Sequence, residues 1–296
     1  MPGYDMIAID LDGTLLDSSK RVGRRCGEMI AEARRQGVAV TVCTGRNLPE
    51  SLFALEAIGQ QDPVVVAGGA IVACPLKRVT LRRFAIDLDV ARRAVTHMLG
   101  SGHVAMALKD PVAAGYDYLM ITGEPALVPD PVITWWFEQM DVQVRWAASL
   151  DDDEHPEHTV RIGVCAMNHA LDGLMDMLRG DLADLAEMHH FPAVVPAEVA
   201  ARFQNGERTH ILEVFARGAN KWSAVQEVAR MLGRDPGRIC AIGDDINDLP
   251  MIRSAALGVA MANAVAPVCQ AASRHTLAND AGGVAHALEM ILSGAW

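Results

Sequence analysis

The sequence predicts an α/β protein: a parallel, Rossmann-like sheet with helices on both faces, interrupted by an inserted α+β domain. Apolar runs of strand length alternate with amphipathic runs of helix length at both ends of the chain, the signature of βαβ crossovers. Between them the alternation loses its regularity, and Asp110-Pro111, Pro129-Asp130-Pro131 and His155-Pro156-Glu157 break it into units. The reading is therefore a core over residues 1–83 and 214–296, with a separate domain over 84–213.

In order, Met6-Ile7-Ala8-Ile9-Asp10 is a buried strand, and Arg24 to Gln36 a helix stopped by Gly37. Val38 to Cys43 is a second strand, ending in Thr44-Gly45-Arg46. Pro49 suits the first turn of a helix running to Gly59, and Pro63 to Ala67 is a third strand closed by Gly68-Gly69. The insertion reads as helix 89–100, strands 103–109 and 116–121, helix 131–140, strands 143–147 and 159–166, helix 168–180 and a strand near 184–190. Trp135-Trp136-Phe137 is read as core packing of a short helix in preference to a functional aromatic cluster. The regular pattern resumes with a helix over 221–232 and the strand Arg238 to Ile242.

Composition narrows the function. The chain has 296 residues, 51% hydrophobic and 21% charged, ordinary for a protein with a real core. A net charge of −11 with no Lys/Arg block argues against nucleic acid or an anionic membrane as partner. The opening Met-Pro-Gly-Tyr-Asp lacks the basic and apolar regions of a leader, and no run approaches membrane-span length, so a cytoplasmic location is expected. The six cysteines are dispersed without a C-x-x-C pair and read as reduced structural thiols. The ten histidines show no H-x-x-x-H spacing; His189-His190 and the acidic stretch 151–155 read as exposed loop.

Carboxylates at strand ends carry the chemical signal. Asp10 and Asp12, two residues apart in extended chain, can project into one small volume, where two anions require a cation or a shared proton. Mg²⁺ suits a site of few carboxylates plus a phosphate. Gly13 allows a sharp turn, and Thr14 sets a hydroxyl beside it. A second cluster, Gly243-Asp244-Asp245-Ile246-Asn247-Asp248, ends a buried strand near the other end of the chain. Helix capping accounts for one of its acids, or two. Two acidic strand ends converging on a shared cation account for both clusters. Lys221 starts a helix, where a cation is electrostatically disfavoured, so a local partner should compensate it. It is one of only four lysines, with Lys20, Lys77 and Lys109, which favours a role for a compact ammonium.

Asp10-Leu11-Asp12-Gly13-Thr14, Thr44-Gly45-Arg46, Lys221 and Gly243-Asp244-Asp245-Ile246-Asn247-Asp248 resemble, in order, the four motifs of the haloacid dehalogenase superfamily. The insertion, Leu249-Pro250-Met251-Ile252 behind the last motif and the run Gly258 to Ala264 resemble its Cof-type branch, which has a large α/β (type IIB) cap. The resemblance implies a phosphatase acting on a small phosphorylated metabolite, a sugar phosphate by preference, through an aspartyl-phosphate. It implies Asp10 as nucleophile, Asp12 as proton donor and then acceptor, and Mg²⁺ held by Asp10, the Asp12 main-chain oxygen and Asp244. Asp12 would need a proton at the first step, which a neighbouring anion could supply by raising its pKa. Thr44 and the Gly45 N–H would bind phosphoryl oxygens, and Asn247 would contact the phosphate side. Lys221 would offset charge, and Asp248 would orient it or hold a metal-bound water. Thr14 and Asp245 are supporting residues. Arg46 would grip substrate or pair with a core carboxylate. The cap would exclude bulk water and select the leaving group, the whole acting as a monomer or homodimer.

Four departures bear on specificity, two of them Ala262 where glycine is frequent and Val268-Cys269-Gln270 without the usual lysine. Gly68-Gly69-Ala70 stands where the branch usually has Asn-Gly-Ala, and Trp222 follows Lys221 where glycine is usual. Phosphomutase-type transfer, or a non-catalytic metabolite-binding regulator, are the alternatives; the intact acids disfavour the second. No G-x-G-x-x-G follows the first strand, which disfavours a dinucleotide-binding dehydrogenase.

Overall fold

Two β-sheets, one of eight strands and one of six, organise the chain in a computed structural model that describes residues 3–140, 142–193, 195–203 and 207–296. In chain order the first segment carries β1 (Met6–Asp10), α1 (Arg24–Arg35), β2 (Ala39–Cys43), α2 (Leu48–Ala57), β3 (Val64–Val66), β4 (Ile71–Cys74) and β5 (Val79–Arg83). The middle carries α3 (Leu88–Gly100), β6 (Ala105–Lys109), α4 (Pro111–Ala114), β7 (Tyr118–Ile121), α5 (Pro131–Gln139), β8 (Val144–Ala147), β9 (Thr159–Met167), α6 (Asn168–Leu182), β10 (Ala186–Pro192), α7 (Ala197–Phe203) and β11 (Thr209–Ala216). The last segment carries α8 (Lys221–Met231), β12 (Ile239–Gly243), α9 (Leu249–Ser254), β13 (Leu257–Ala260), α10 (Ala266–Ala271), β14 (Arg274–His275) and α11 (Gly283–Leu292).

The larger sheet runs β14-β13-β12-β1-β2-β3-β4-β5. From β14 to β3 its neighbours are parallel, and β4 then lies antiparallel to β3. The sheet is thus mixed rather than wholly parallel. Its antiparallel edge begins straight after Gly68-Gly69, in a stretch too short for a crossover helix. All five residues of β1 and of β12 are buried, which is why both read as continuous apolar runs. Strand order reverses between β1 and β12: the first segment's strands spread to one side, the last segment's to the other. A ligand site in such a sheet lies in the crevice outside the strands' carboxyl ends at this reversal.

The smaller sheet runs β10-β11-β9-β6-β7-β8. One face buries Ala105, Ala107, Ile162, Val164, Leu212 and Val214 against α3 and α6. The other packs Met106, Met120 and Cys165 against Val132 and Ile133 of α5, with Trp136 and Phe137 partly buried at its margin. Those two aromatics therefore serve the core, as the sequence suggests. By its contacts the chain forms two compact units, residues 1–82 with 220–296 and residues 83–219. Strand β11 belongs whole to the second unit, where it lies between β10 and β9. The sequence reading places no strand there and sets its boundary after Glu213. Among the described residues no helix is long and apolar enough to cross a membrane.

Candidate active site

Asp10 ends β1, Thr44 follows β2 and Asp244 follows β12. The register aligns Asp10 with Cys43 and Ile9 with Ile242, so the three neighbouring strands end at one level. The carboxylates of Asp10, Asp244 and Asp248 come within 4.8 Å of one another. Two acidic segments distant in sequence thus form one cluster.

Lys221 enters this cluster from the first turn of α8, a helix capped by the side chain of Asn220 on the Ser223 N–H. Its buried ammonium donates to Asp10 Oδ1 at 2.6 Å, to Asp248 Oδ1 at 2.6 Å and to Asn247 Oδ1 at 3.1 Å. Burial alone would depress its pKa, but the charges of Asp10 and Asp248 raise it, so it stays an ammonium. The compensation expected for a cation at a helix start is therefore supplied by two carboxylates. Asp248 spends its other oxygen on the backbone N–H groups of Asp244 and Asp245, at 2.9 and 3.1 Å. One carboxylate thus contacts both Lys221 and the backbone of its own loop.

The acids left with less compensation are Asp10 and Asp244. Burial raises the Asp10 carboxyl well above the ordinary value; Asp248 and Asp244 add to this against the pull of Lys221. Asp244 is pushed up to about 7, by burial first and then by Asp248, against the Thr14 hydroxyl that donates to its Oδ1 at 2.7 Å. Close carboxylates with raised pKa values, one bonded among the described residues by hydroxyl and amide groups, fit a hard divalent cation. The backbone is built around the second acid. Gly13 lies at φ +82°, where a Cβ would come 2.3 Å from Asp244 Oδ2. Asn263 ties that turn down, its amide donating to Gly13 O at 2.8 Å.

Asp12 does not join the cluster. Its carboxylate is turned to Arg46, whose Nε and Nη2 donate to Oδ2 and Oδ1 at 2.7 Å each, and to Lys20 Nζ, at 3.0 Å from Oδ1. Burial acts to raise its pKa, but Arg46 and then Lys20 override it and hold the group at about 2. The near neighbours of Asp12 are thus cations, which favour its ionised form, rather than the anion that would hold a proton there. The pairing alternative for Arg46 is the one observed, with its guanidinium also 5.8 Å over the Phe53 ring.

The remaining predicted residues are placed as follows. Thr44 is buried, its hydroxyl accepting the Arg46 N–H at 3.1 Å. A Cβ on Gly45 would lie 4.0 Å from Asn247 Nδ2, so this loop faces the β12 loop. Asp245 caps the short turn over 246–248 through the Ile246 N–H, at 2.7 Å, which is the capping account of that acid. Trp222 is half-buried. Two contributors escape sequence reasoning: Lys20 and Asn263. Asn263 lies within the Gly258 to Ala264 run, and Lys20 is conspicuous only as one of four lysines. Outside this site, His155, Glu157 and His158 also bring ligand-capable atoms within 4.8 Å of one another, a grouping at a spacing the sequence reading did not consider.

An acid cluster with a buried lysine, at the strand reversal of an α/β sheet, defines an enzyme core rather than a binding module. The chain belongs to the haloacid dehalogenase-like hydrolases: the model of that family matches residues 7–288. It is 27% identical to the putative phosphatase YxeH of Bacillus subtilis over 98% of this chain and 99% of that one. It is likewise 27% identical to the 5-amino-6-(5-phospho-D-ribitylamino)uracil phosphatase YitU of Bacillus subtilis, over 97% of each. Among solved structures, the subclass IIB sugar phosphatase BT4131 shares the fold at a TM-score of 0.74 and 19% identity, over 98% of this chain and 99% of that one.

Proposed function

We propose that the protein is a Mg²⁺-dependent phosphatase for a small phosphorylated metabolite, with sugar and polyol phosphates favoured, working through an aspartyl-phosphate on Asp10. The observation that carries this reading is Lys221 bridging Asp10 and Asp248 beside Asp244. Simple phosphate capture would not need a buried anion at the strand end. The action of YitU on a phosphorylated ribityl compound supports the substrate class.

Asp10 attacks phosphorus, and the bond from phosphorus to the ester oxygen breaks. That oxygen leaves with a proton from Asp12. Water then attacks the aspartyl-phosphate, giving its proton to Asp12 and freeing orthophosphate. The ionised form of Asp12, which Arg46 and Lys20 favour, is the one the second half requires; the charge of an arriving phosphoryl group would raise its pKa for the first. Asp10 and Asp244, with the main-chain oxygen of Asp12, are the groups proposed to hold the cation. When bound, Mg²⁺ supplies charge neutralisation for the phosphoryl oxygens. Thr44, the Gly45 N–H and Asn247 bind those oxygens, and Lys221 balances the charge of Asp10 as the anion enters. The six free cysteines support a cytoplasmic setting, and the net charge of −11 a partner that is neither nucleic acid nor membrane. We take the working form to be a monomer or homodimer.

A panel of sugar, polyol and nucleotide phosphates with Mg²⁺ tests the reading. Turnover of sugar or polyol phosphates, abolished by EDTA and by Asp10→Asn with the fold intact, is the expected result. Hydrolysis persisting in Asp10→Asn would overturn the nucleophile assignment.

A further inference from the structure

Asp12 is gripped from two sides by cations of different character. The Arg46 side chain is 7% exposed and makes a two-pronged contact, one nitrogen to each carboxylate oxygen. Such a fork is strong and fixed in direction. The Lys20 side chain is 49% exposed and adds a single bond, to an oxygen that already accepts from Arg46. An exposed ion pair of this kind contributes about 0–1 kcal/mol and is readily exchanged.

Lys20 is nevertheless placed with care. Its backbone lies at φ +57°, a left-handed conformation uncommon for a residue with a side chain. Asp17 maintains that turn, accepting the N–H groups of Ser19 and Arg21 at 2.9 Å each. Asp280 anchors it from the other end of the sequence by accepting the Ser18 N–H at 2.7 Å. A surface loop held in a strained conformation, so that one ammonium reaches the acid beside the nucleophile, is a constraint that function explains better than stability does.

We propose that Lys20 is a substrate-contacting residue, its ammonium passing from Asp12 to an oxygen of the bound phosphate ester while Arg46 keeps the carboxylate in place. The proposal rests on the phosphatase reading. The exchange is inexpensive because Lys20, itself half exposed, trades one anion for another. It clears the outer side of Asp12 Oδ1 for the leaving oxygen and leaves a positive charge where the substrate's negative charge arrives. Arg46, by contrast, is a positioning residue, acting through Asp12.

The test uses the full-length Mg²⁺-loaded protein, with inorganic phosphate as probe in titration calorimetry and p-nitrophenyl phosphate in steady-state kinetics. For Lys20→Met, phosphate Kd and KM should both rise about 10-fold, the lower end of what one charge-assisted hydrogen bond contributes, with kcat changing less. Lys20→Arg should stay within about threefold of the natural protein, because it keeps the charge. Lys20→Gly, which relieves the left-handed backbone, should behave like Lys20→Met, and it replaces that variant if the latter fails to fold. Unchanged phosphate Kd and KM in Lys20→Met, or kcat alone falling, would overturn the proposal and leave Lys20 as a prop for Asp12. If the natural protein hydrolyses nothing on the panel, the phosphatase reading fails. Even then, weaker phosphate binding by Lys20→Met upholds the contact and equal binding refutes it. Absence of phosphate binding by the natural protein refutes both.

Discussion

Asp244 carries the least compensated charge of the acid cluster, and that makes it a liability for folding in the absence of metal. Its pKa of about 7 in the folded chain stands against the ordinary carboxylate value of 3.8. Between those values the folded state keeps a proton that the unfolded state has lost, so metal-free stability falls as pH rises from about 4 through 7. Asp10, shifted in the same direction, adds to the slope. Asp244→Asn removes the charge and can still accept from Thr14. In EDTA at pH 8 this variant should be more stable than the natural protein by roughly 2 kcal/mol, with the gap closing as pH falls to about 4 and Mg²⁺ no longer raising its melting temperature. A variant less stable than the natural protein at pH 8 would contradict this. Arg46→Lys should keep a charge beside Asp12 but lose the fork. A fall in kcat of about 10-fold or more with KM nearly constant is expected from steady-state kinetics. The acids and Lys221 were legible because each lies in a short strand-end or helix-start pattern. The pairing of Arg46 with a carboxylate was legible as one of two alternatives, but not that its partner is Asp12 or that Lys20 joins them, because side-chain paths are not revealed by spacing along a strand.

Elements matter here chiefly through what they push together. The turn Ala67–Gly69 after β3 packs against the start of α8, and Gly69 sits at φ +106°. A Cβ there would lie 2.1 Å from the Asn220 carbonyl carbon and 2.5 Å from the Lys221 nitrogen. Gly69→Ala therefore meets two penalties, a backbone region closed to side chains and a collision with the helix start that aims Lys221. Denaturant titration should show a loss of about 2–4 kcal/mol, and kcat should fall even where the variant is fully folded. Activity unchanged in the folded variant would uncouple this turn from Lys221. The sequence marks the Gly-Gly pair as a turn and as a departure from family usage, but the element it meets lies some 150 residues on, out of reach of local pattern. Strand β11 was missed for a different reason. Its central residues Leu212, Val214 and Phe215 are fully buried, yet His210 and Glu213 interrupt the run, and Glu213 is paired with Arg161 of β9 at 2.6 Å. A buried ion pair between neighbouring strands makes an interior strand look like a polar loop until its partner is known.

At the scale of the whole molecule, the chain builds two compact units from one sequence, and every acid proposed to hold Mg²⁺ belongs to the first. Residues 83–219 bury their own cluster between sheet and helices, including Leu171, Leu174 and Leu178 of α6. Asp10, Asp12 and Asp244 lie in the unit formed by residues 1–82 and 220–296. This discontinuity was legible as a change of rhythm in the sequence, because crossover units have a regular period and the insertion does not. A ligand that binds only the native form of one unit stabilises it by mass action, by about 2.7 kcal/mol at a hundred times its Kd. Scanning calorimetry should therefore resolve a transition that moves upward with Mg²⁺ by a few degrees and returns with EDTA. A second transition, belonging to residues 83–219, should stay where it was. Asp10→Asn and Asp244→Asn should each abolish the shift without altering the second transition, whereas Lys20→Met should preserve it, since Lys20 is assigned to the substrate and not to the metal. A Mg²⁺ shift confined to the unit formed by residues 83–219 would place the cation elsewhere, and the grouping of His155, Glu157 and His158 would then be the first to mutate.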